Sequence, residues 1–193
     1  TRRLSSAASD VYKRQRGKFY NYFAIEGIHD DDPTTPNKQF IPDGWRLPTY
    51  DDFNTTLHNY LNYYGHRTNT VSYAQAVGSE NYWQSVSSCS GGCPGYSANN
   101  NTGIGIIPNG HIQNNGNINY LNQRSYIWTS ETNNNNSWTV YYRYQYAGLD
   151  EYNHPKKSGL PVRLIRDYTS EGNSDIGSVI NDSYPLHNNL KPY

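Results

Sequence analysis

Charge and cysteine are both scarce in this chain, and each scarcity closes a class of function. Charged residues make up 17% of the 193 positions, well below the roughly one quarter of an ordinary soluble domain. No basic patch stands out, which argues against nucleic-acid binding. Two cysteines are too few for a disulfide-dense scaffold, and one domain of this length buries a core without metals or many disulfides. No apolar run is long enough to span a bilayer. Hydrophobic residues reach only 34%, with a mean hydropathy of −0.94. The missing apolar load is carried by 20 tyrosines, which bury large areas while counting as polar. Asn, Ser, Thr and Gly supply the rest, a composition that favours strands and loops and resembles a paratope. An AT-rich gene would produce the same Asn and Tyr load.

Residues 1–15 are set apart. Ser5 to Gln15 reads as a translated sequencing adaptor, so the segment 1–15 is expected to be non-native and the true start of the gene missing, with any export signal out of view. The chain holds 16 basic and 16 acidic residues, of which Arg2, Arg3, Lys13, Arg14 and Asp10 fall in that segment; 12 basic and 15 acidic remain, a net charge of −3.

The stretch from Pro42 to Phe53 is a junction. Trp45 and Leu47 alternate about Arg46 as a short strand would, Pro48 drives Leu47 out of the helical region, and Thr49 with Asp52 forms a helix start. Phe53, Leu57, Tyr60, Leu61 and Tyr64 then give an apolar stripe at helical spacing. Trp45 and Leu47 are expected in the core. Upstream, Lys18 to Ile25 predicts the first strand, and Gly27 to Phe40 a loop whose Asp30, Asp31 and Asp32 lack the ligand spacing of a calcium loop. Ser72 to Val86 reads as a second short helix, with Tyr73, Ala76, Val77 and Trp83 for its buried side.

Ser87 to Arg124 is rich in Gly, Asn and Ser, without regular pattern. Cys89 and Cys93 in this region are spaced to close a small disulfide loop, which suits an exported protein. A metal site would need further soft ligands, and redox chemistry a helix start to depress a thiol pKa. Downstream, Tyr126 to Glu131 and Ser137 to Gln145 predict a hairpin turning at Asn133 to Asn136, with Trp138, Val140, Tyr142 and Tyr144 on its core face. Tyr146 to Gly159 reads as a loop and Leu160 to Asp167 as a last strand, with Val162 and Leu164 inward and Arg163 outward. The domain is thus 16–167, and 168–193 a weakly ordered tail.

The ordered segments GWRLPTYDDF, YIWTSE and GLPVRLIRD resemble the Fibrobacter succinogenes major paralogous domain, which is similar in turn to the formylglycine-generating-enzyme branch of the C-type lectin fold. The resemblance covers about Gly17 to Asp167. It implies an α+β, C-type-lectin-like fold: a small antiparallel sheet with paired N- and C-terminal strands, Lys18 to Ile25 against Val162 to Asp167. An early helix would pack on this sheet, and a long loop region would lie at the far end.

Function is argued from residues, since one fold hosts many activities. The lectin calcium signature is missing, as Glu131-Thr132-Asn133 lacks its Pro. Cys89 and Cys93 precede the hairpin, unlike the enzyme branch's cysteine pair near the final strand. His29, His58, His66, His111, His154 and His187 are scattered and join no catalytic motif. The expectation is a non-enzymatic, calcium-independent binding module, secreted or at the cell surface, with no cofactor, no metal and no nucleic-acid partner, taking a glycan or protein ligand. Its surface would comprise Tyr141, Arg143 and Gln145 on the outward hairpin face, with Tyr146, Tyr152, Asn153 and His154 from the next loop. The alternatives are an adhesin repeat without a pocket, or a variable receptor diversified through adenine-rich codons.

Overall fold

The computed structural model describes residues 17–166 apart from 31, 67–70, 89–92 and 147, with 71–73 described in backbone only. The segment 1–15, the tail 168–193, Cys89, Asp31, Asp167 and the Tyr73 side chain lie outside the described residues. Strand β1 is only Phe19–Tyr20. The aromatic run to Ile25 does not continue it, because the Asn21 side chain accepts from the Ala24 N–H at 2.8 Å and caps a helical turn, α1, Tyr22–Ile25.

The junction at Pro42 is part turn and part bridge. The Trp45 N–H donates to the Pro42 carbonyl at 3.1 Å, with Gly44 at φ +78°, so Trp45 sits on a turn and is 44% exposed instead of entering the core. Arg46 exchanges two 2.9 Å backbone hydrogen bonds with Ile165, and Leu47 is buried as expected. Thr49 and Asp52 then form a reciprocal cap. The Asp52 N–H donates to Thr49 Oγ1 at 3.1 Å, and the Thr49 N–H to Asp52 Oδ2 at 2.6 Å. Arg46 clamps the same carboxylate at 2.6 and 3.1 Å. Its hydrogen bond, ahead of those from Thr49, lowers the Asp52 pKa to about 2.

From this cap a π-helical segment, Asp52–Leu57, runs directly into α2, His58–Tyr63. The wider π turn rotates the stripe: Phe53 and Leu61 are buried, while Tyr60 is half exposed. Helix α3, Val71–Val77, is shorter than the expected span to Val86, ending where the Gly78 N–H caps the Ala74 carbonyl. Ala76 and Val77 are buried on it; Trp83 packs against the core from beyond its end. The region expected to lack regular structure holds α4, Pro94–Ser97, and a hairpin of β2, His111–Ile112, with β3, Ile118–Asn119.

The main sheet is β4, Arg124–Asn133, with β5, Asn136–Arg143, and β6, Leu149–Pro155, antiparallel in that order. Its hairpin turns through Asn134 at φ +50°. Strand β6 corrects the loop expected over Tyr146 to Gly159. The open edge of β5 supplies its ladder, and its Asp150, Glu151 and Pro155 obscure strand alternation in the sequence. Strand β7, Leu160–Pro161, pairs with β1, Phe19 opposite Pro161 and Tyr20 opposite Leu160. The terminal strands therefore do meet, earlier in the chain than Val162.

Both faces of the main sheet are covered. On one, Ile127, Val140 and Tyr142 pack against Phe53, Leu61, Val77 and Ile106, so the early helix lies on this sheet and not on the terminal pair. On the other, Tyr126 and Trp128 pack against Tyr22, Ile25, Leu47 and Leu160, with Val162 and Leu164 partly buried beside them. Arg163, expected outward, is half-buried. Leu47→Ala is expected to cost about 2–5 kcal/mol in urea unfolding, whereas Trp45→Ala stays within about 0.5 kcal/mol of the parent. A larger loss at Trp45 would show that its turn position carries packing energy.

Candidate functional site

The second face of the main sheet changes character along its length. Paired residues of an antiparallel sheet share a face, so the register places Arg124, Tyr126 and Trp128 of β4 beside Arg143, Tyr141 and Thr139 of β5. Asp150, Tyr152 and His154 of β6 complete that face. Toward Trp128 it is sealed by the second core. At the Arg124 end the β2–β3 hairpin stands beside it and leaves a cleft of about 540 Å³, within the size range of small-ligand sites.

Glycine fixes the hairpin's approach. Gly110 has φ +66°, and a Cβ there would fall 2.1 Å from the Asn119 carbonyl oxygen. With no side chain in the way, Gly110 bridges to Ser125, and the next residue, His111, is delivered buried against the sheet. Tyr120, on the return, holds φ +57°, an uncommon conformation for a bulky residue. Its ring lies under the Arg124 guanidinium at 3.8 Å to the centroid.

Six side chains make the centre of this cleft: His111, Tyr120, Arg124, Tyr126, Tyr152 and His154. Arg124 Nη1 donates to the Tyr126 hydroxyl at 3.0 Å. No carboxylate among the described residues pairs with Arg124, and none lines the cleft. The histidine rings stand 4.7 Å apart, 6% and 4% exposed, packed edge-on to Tyr126. His111 Nδ1 and His154 Nε2 have no hydrogen-bond partner. Burial lowers the His154 pKa to about 3, with His111 adding to the effect. Burial, then Arg124, lowers that of His111. Both rings are therefore neutral at neutral pH, and Arg124 is the cleft's cation. Amides of Gln113, Asn114, Asn115 and Asn119 rim the hairpin side.

The residues expected to form the binding surface divide. Tyr152 and His154 line the cleft, but from strand β6 and not from a loop, and His154 is buried. Tyr141 stacks on Tyr126 at 5.2 Å and meets Tyr152 edge-on at 6.5 Å, so it supports the cleft wall from behind. Arg143 is held in an ion pair by Asp150, with Tyr146 beneath it at 4.5 Å. Gln145 and Tyr146 are exposed beyond the end of β5. Asn153 lies opposite Trp138, on the other face. His111, Tyr120 and Arg124 had been passed over. The signal for them was His111-Ile112-Gln113-Asn114-Asn115-Gly116-Asn117-Ile118, an Asn-Gly turn flanked by apolar residues.

Cys93 is buried and disulfide-bonded, as the expected loop requires, although Cys89 lies outside the described residues. A larger cavity of about 730 Å³ borders the acidic loop. Asp32 there is occupied in its own turn, accepting from the Thr34 N–H and hydroxyl at 2.9 and 2.8 Å, and none of the described residues of that loop has a buried side-chain polar atom without a partner. Among the described residues no group of three or more His, Cys, Asp or Glu is placed to hold a metal ion, and no helix is long and apolar enough to cross a membrane.

The buried imidazoles generate a pH dependence. An unfolded histidine takes a proton near pH 6.5, whereas folded His154 resists it down to about 3. Between these values the unfolded chain binds more protons. Stability is thus complete above pH 6.5 and lost as pH falls, at up to about 1.4 kcal/mol per pH unit for each such group. Melting curves should fall more steeply below about pH 6.5 for the parent than for His154→Phe. Equal slopes would show that the ring is not held neutral.

The profile of the Fibrobacter succinogenes major domain matches residues 2–166, a span that opens inside the adaptor-like segment. No curated protein and no solved structure matches the chain at a significant level. With the profile covering most of its length, the chain belongs to the Fibrobacter succinogenes major domain family.

Proposed function

We propose that this protein is a non-catalytic, calcium-independent binding module, displayed outside the cell, whose ligand is a glycan held in the cleft between the β2–β3 hairpin and the main sheet. The observation that carries this reading is a cleft of about 540 Å³ walled by Tyr120, Tyr126 and Tyr152 and rimmed by the amides of Gln113, Asn114, Asn115 and Asn119. Tyr120 and Tyr152 are 41% and 53% exposed, and Tyr152 offers a ring face to the cleft while one face of Tyr120 is covered by Arg124. Amides on the rim add directional donors and acceptors. Such a wall of aromatics and amides suits a polyhydroxylated ligand better than an apolar one, since Pro155 is the only aliphatic side chain of the lining. Disulfide-bonded Cys93 supports an oxidising, extracytoplasmic setting. The adjacent terminal strands β1 and β7, and the capped helix after Leu47, support a C-type-lectin-like fold for the domain.

The competing reading, an adhesin repeat without a dedicated pocket, draws on the dispersal of other exposed tyrosines, such as Tyr60 and Tyr63 on α2, far from the cleft residues in sequence. A glycan array probed with the full chain separates the two. Binding should appear for the parent and fall at least about tenfold for Tyr152→Ala, with the melting temperature unchanged. Glycan binding indifferent to Tyr152→Ala and Tyr120→Ala would move the site elsewhere. No glycan binding at all would favour the repeat module.

A further inference from the structure

We propose that the ligand is an acidic sugar, a hexuronic acid unit whose carboxylate is taken by Arg124 and whose hydroxyls meet the rim amides; this rests on the cleft being a glycan site. The cleft is electrostatically one-sided. Its cation is Arg124, its imidazoles are uncharged, and it contains no carboxylate. Elsewhere in the described chain Arg46 is matched by Asp52, Arg143 by Asp150 and Lys156 by Glu26, while half-buried Arg163, like Arg124, has no described carboxylate partner. Arg124 instead rests on Tyr120 and gives one N–H to the Tyr126 hydroxyl. That anchorage holds the guanidinium plane while leaving further N–H donors for a bidentate carboxylate.

The neighbours suit the rest of such a ring. The rim amides carry both donors and acceptors, the pairing that hydroxyls require, and two neutral imidazoles ask for no anionic charge beyond one carboxylate. Hydroxyls at neighbouring carbons, a ring face for Tyr152 and one carboxylate describe a uronic acid. A phosphate or sulfate ester would place more charge against a single guanidinium. A simple acidic peptide would bring no hydroxyls to the rim amides.

The test compares trigalacturonate, its fully methyl-esterified and therefore neutral counterpart, and triglutamate, each titrated calorimetrically into the full chain at low salt. Trigalacturonate should bind at least tenfold more tightly than the ester. Arg124→Gln should abolish that preference with the fold intact by circular dichroism, while Lys38→Gln, an exposed charge change away from the cleft, should keep it. Added salt should weaken the acidic sugar selectively. Equal affinity for the acid and the ester would overturn the acidic-sugar inference and leave the glycan site standing. Triglutamate binding as tightly as trigalacturonate would overturn the sugar in favour of simple charge recognition. Silence of trigalacturonate beside binding of neutral glycans on the array would overturn the inference alone; silence of both would overturn the glycan site as well.

Discussion

The Trp128 indole N–H, 2.9 Å from the Tyr20 carbonyl, joins the two ends of this fold. Trp128 is fully buried at the middle of β4, and Tyr20 lies in the two-residue strand that pairs with β7. A strand pair that short has almost no stability of its own. It is held because the indole gives the Tyr20 carbonyl a buried donor while Tyr22 packs edge-on against the indole ring at 5.3 Å. Without that acceptor a large aromatic would bury an unpaired N–H, at a cost of about 1–3 kcal/mol. The same residue therefore seals the second face of the sheet and anchors the chain termini of the domain.

Legibility in the sequence follows how locally each element is determined. The β4–β5 hairpin is readable because alternation and an Asn-rich turn act over a dozen residues, and the cap at Thr49 because both partners lie within four. The first strand misleads, since Lys18 to Ile25 has strand composition throughout, yet one hydrogen bond from the Ala24 N–H to the Asn21 side chain turns it after Tyr20. Trp45 misleads in the opposite sense: its size argues for burial, but the turn closed on Pro42 points it outward. The π-helical segment leaves no mark in an i, i+4 stripe that already reads as α-helix.

The site was partly legible for a related reason. Tyr141 and Arg143 were assigned outward because a hairpin with one apolar face normally has one wet face. Here both faces are covered, so fully buried Thr139 and half-buried Tyr141 belong to a packed surface. Tyr152 and His154, expected in a loop, lie on that same face in strand β6. What brings the other half of the cleft is tertiary: the parallel bridge of Gly110 to Ser125 and the antiparallel bridge of Ile112 to Gly159 carry the hairpin to the sheet. Pairings across such separations leave no periodic trace, whereas the Asn-Gly turn itself did.

Dry and wet portions of one sheet face meet at His154. On one side it packs against Trp128 at 6.3 Å, on the other against His111 and Tyr152 at 4.7 and 4.8 Å. Contact with the core keeps the ring neutral, and neutrality keeps the cleft from carrying positive charge beyond that of Arg124. Replacing the ring by a fully apolar one would satisfy the core but remove the polar floor. Exposing it would satisfy the ring but let it charge near Arg124. The buried, incompletely hydrogen-bonded histidine is thus the compromise at which packing and a polar cleft share the same strand, and its unmet nitrogen is the free-energy cost of that compromise.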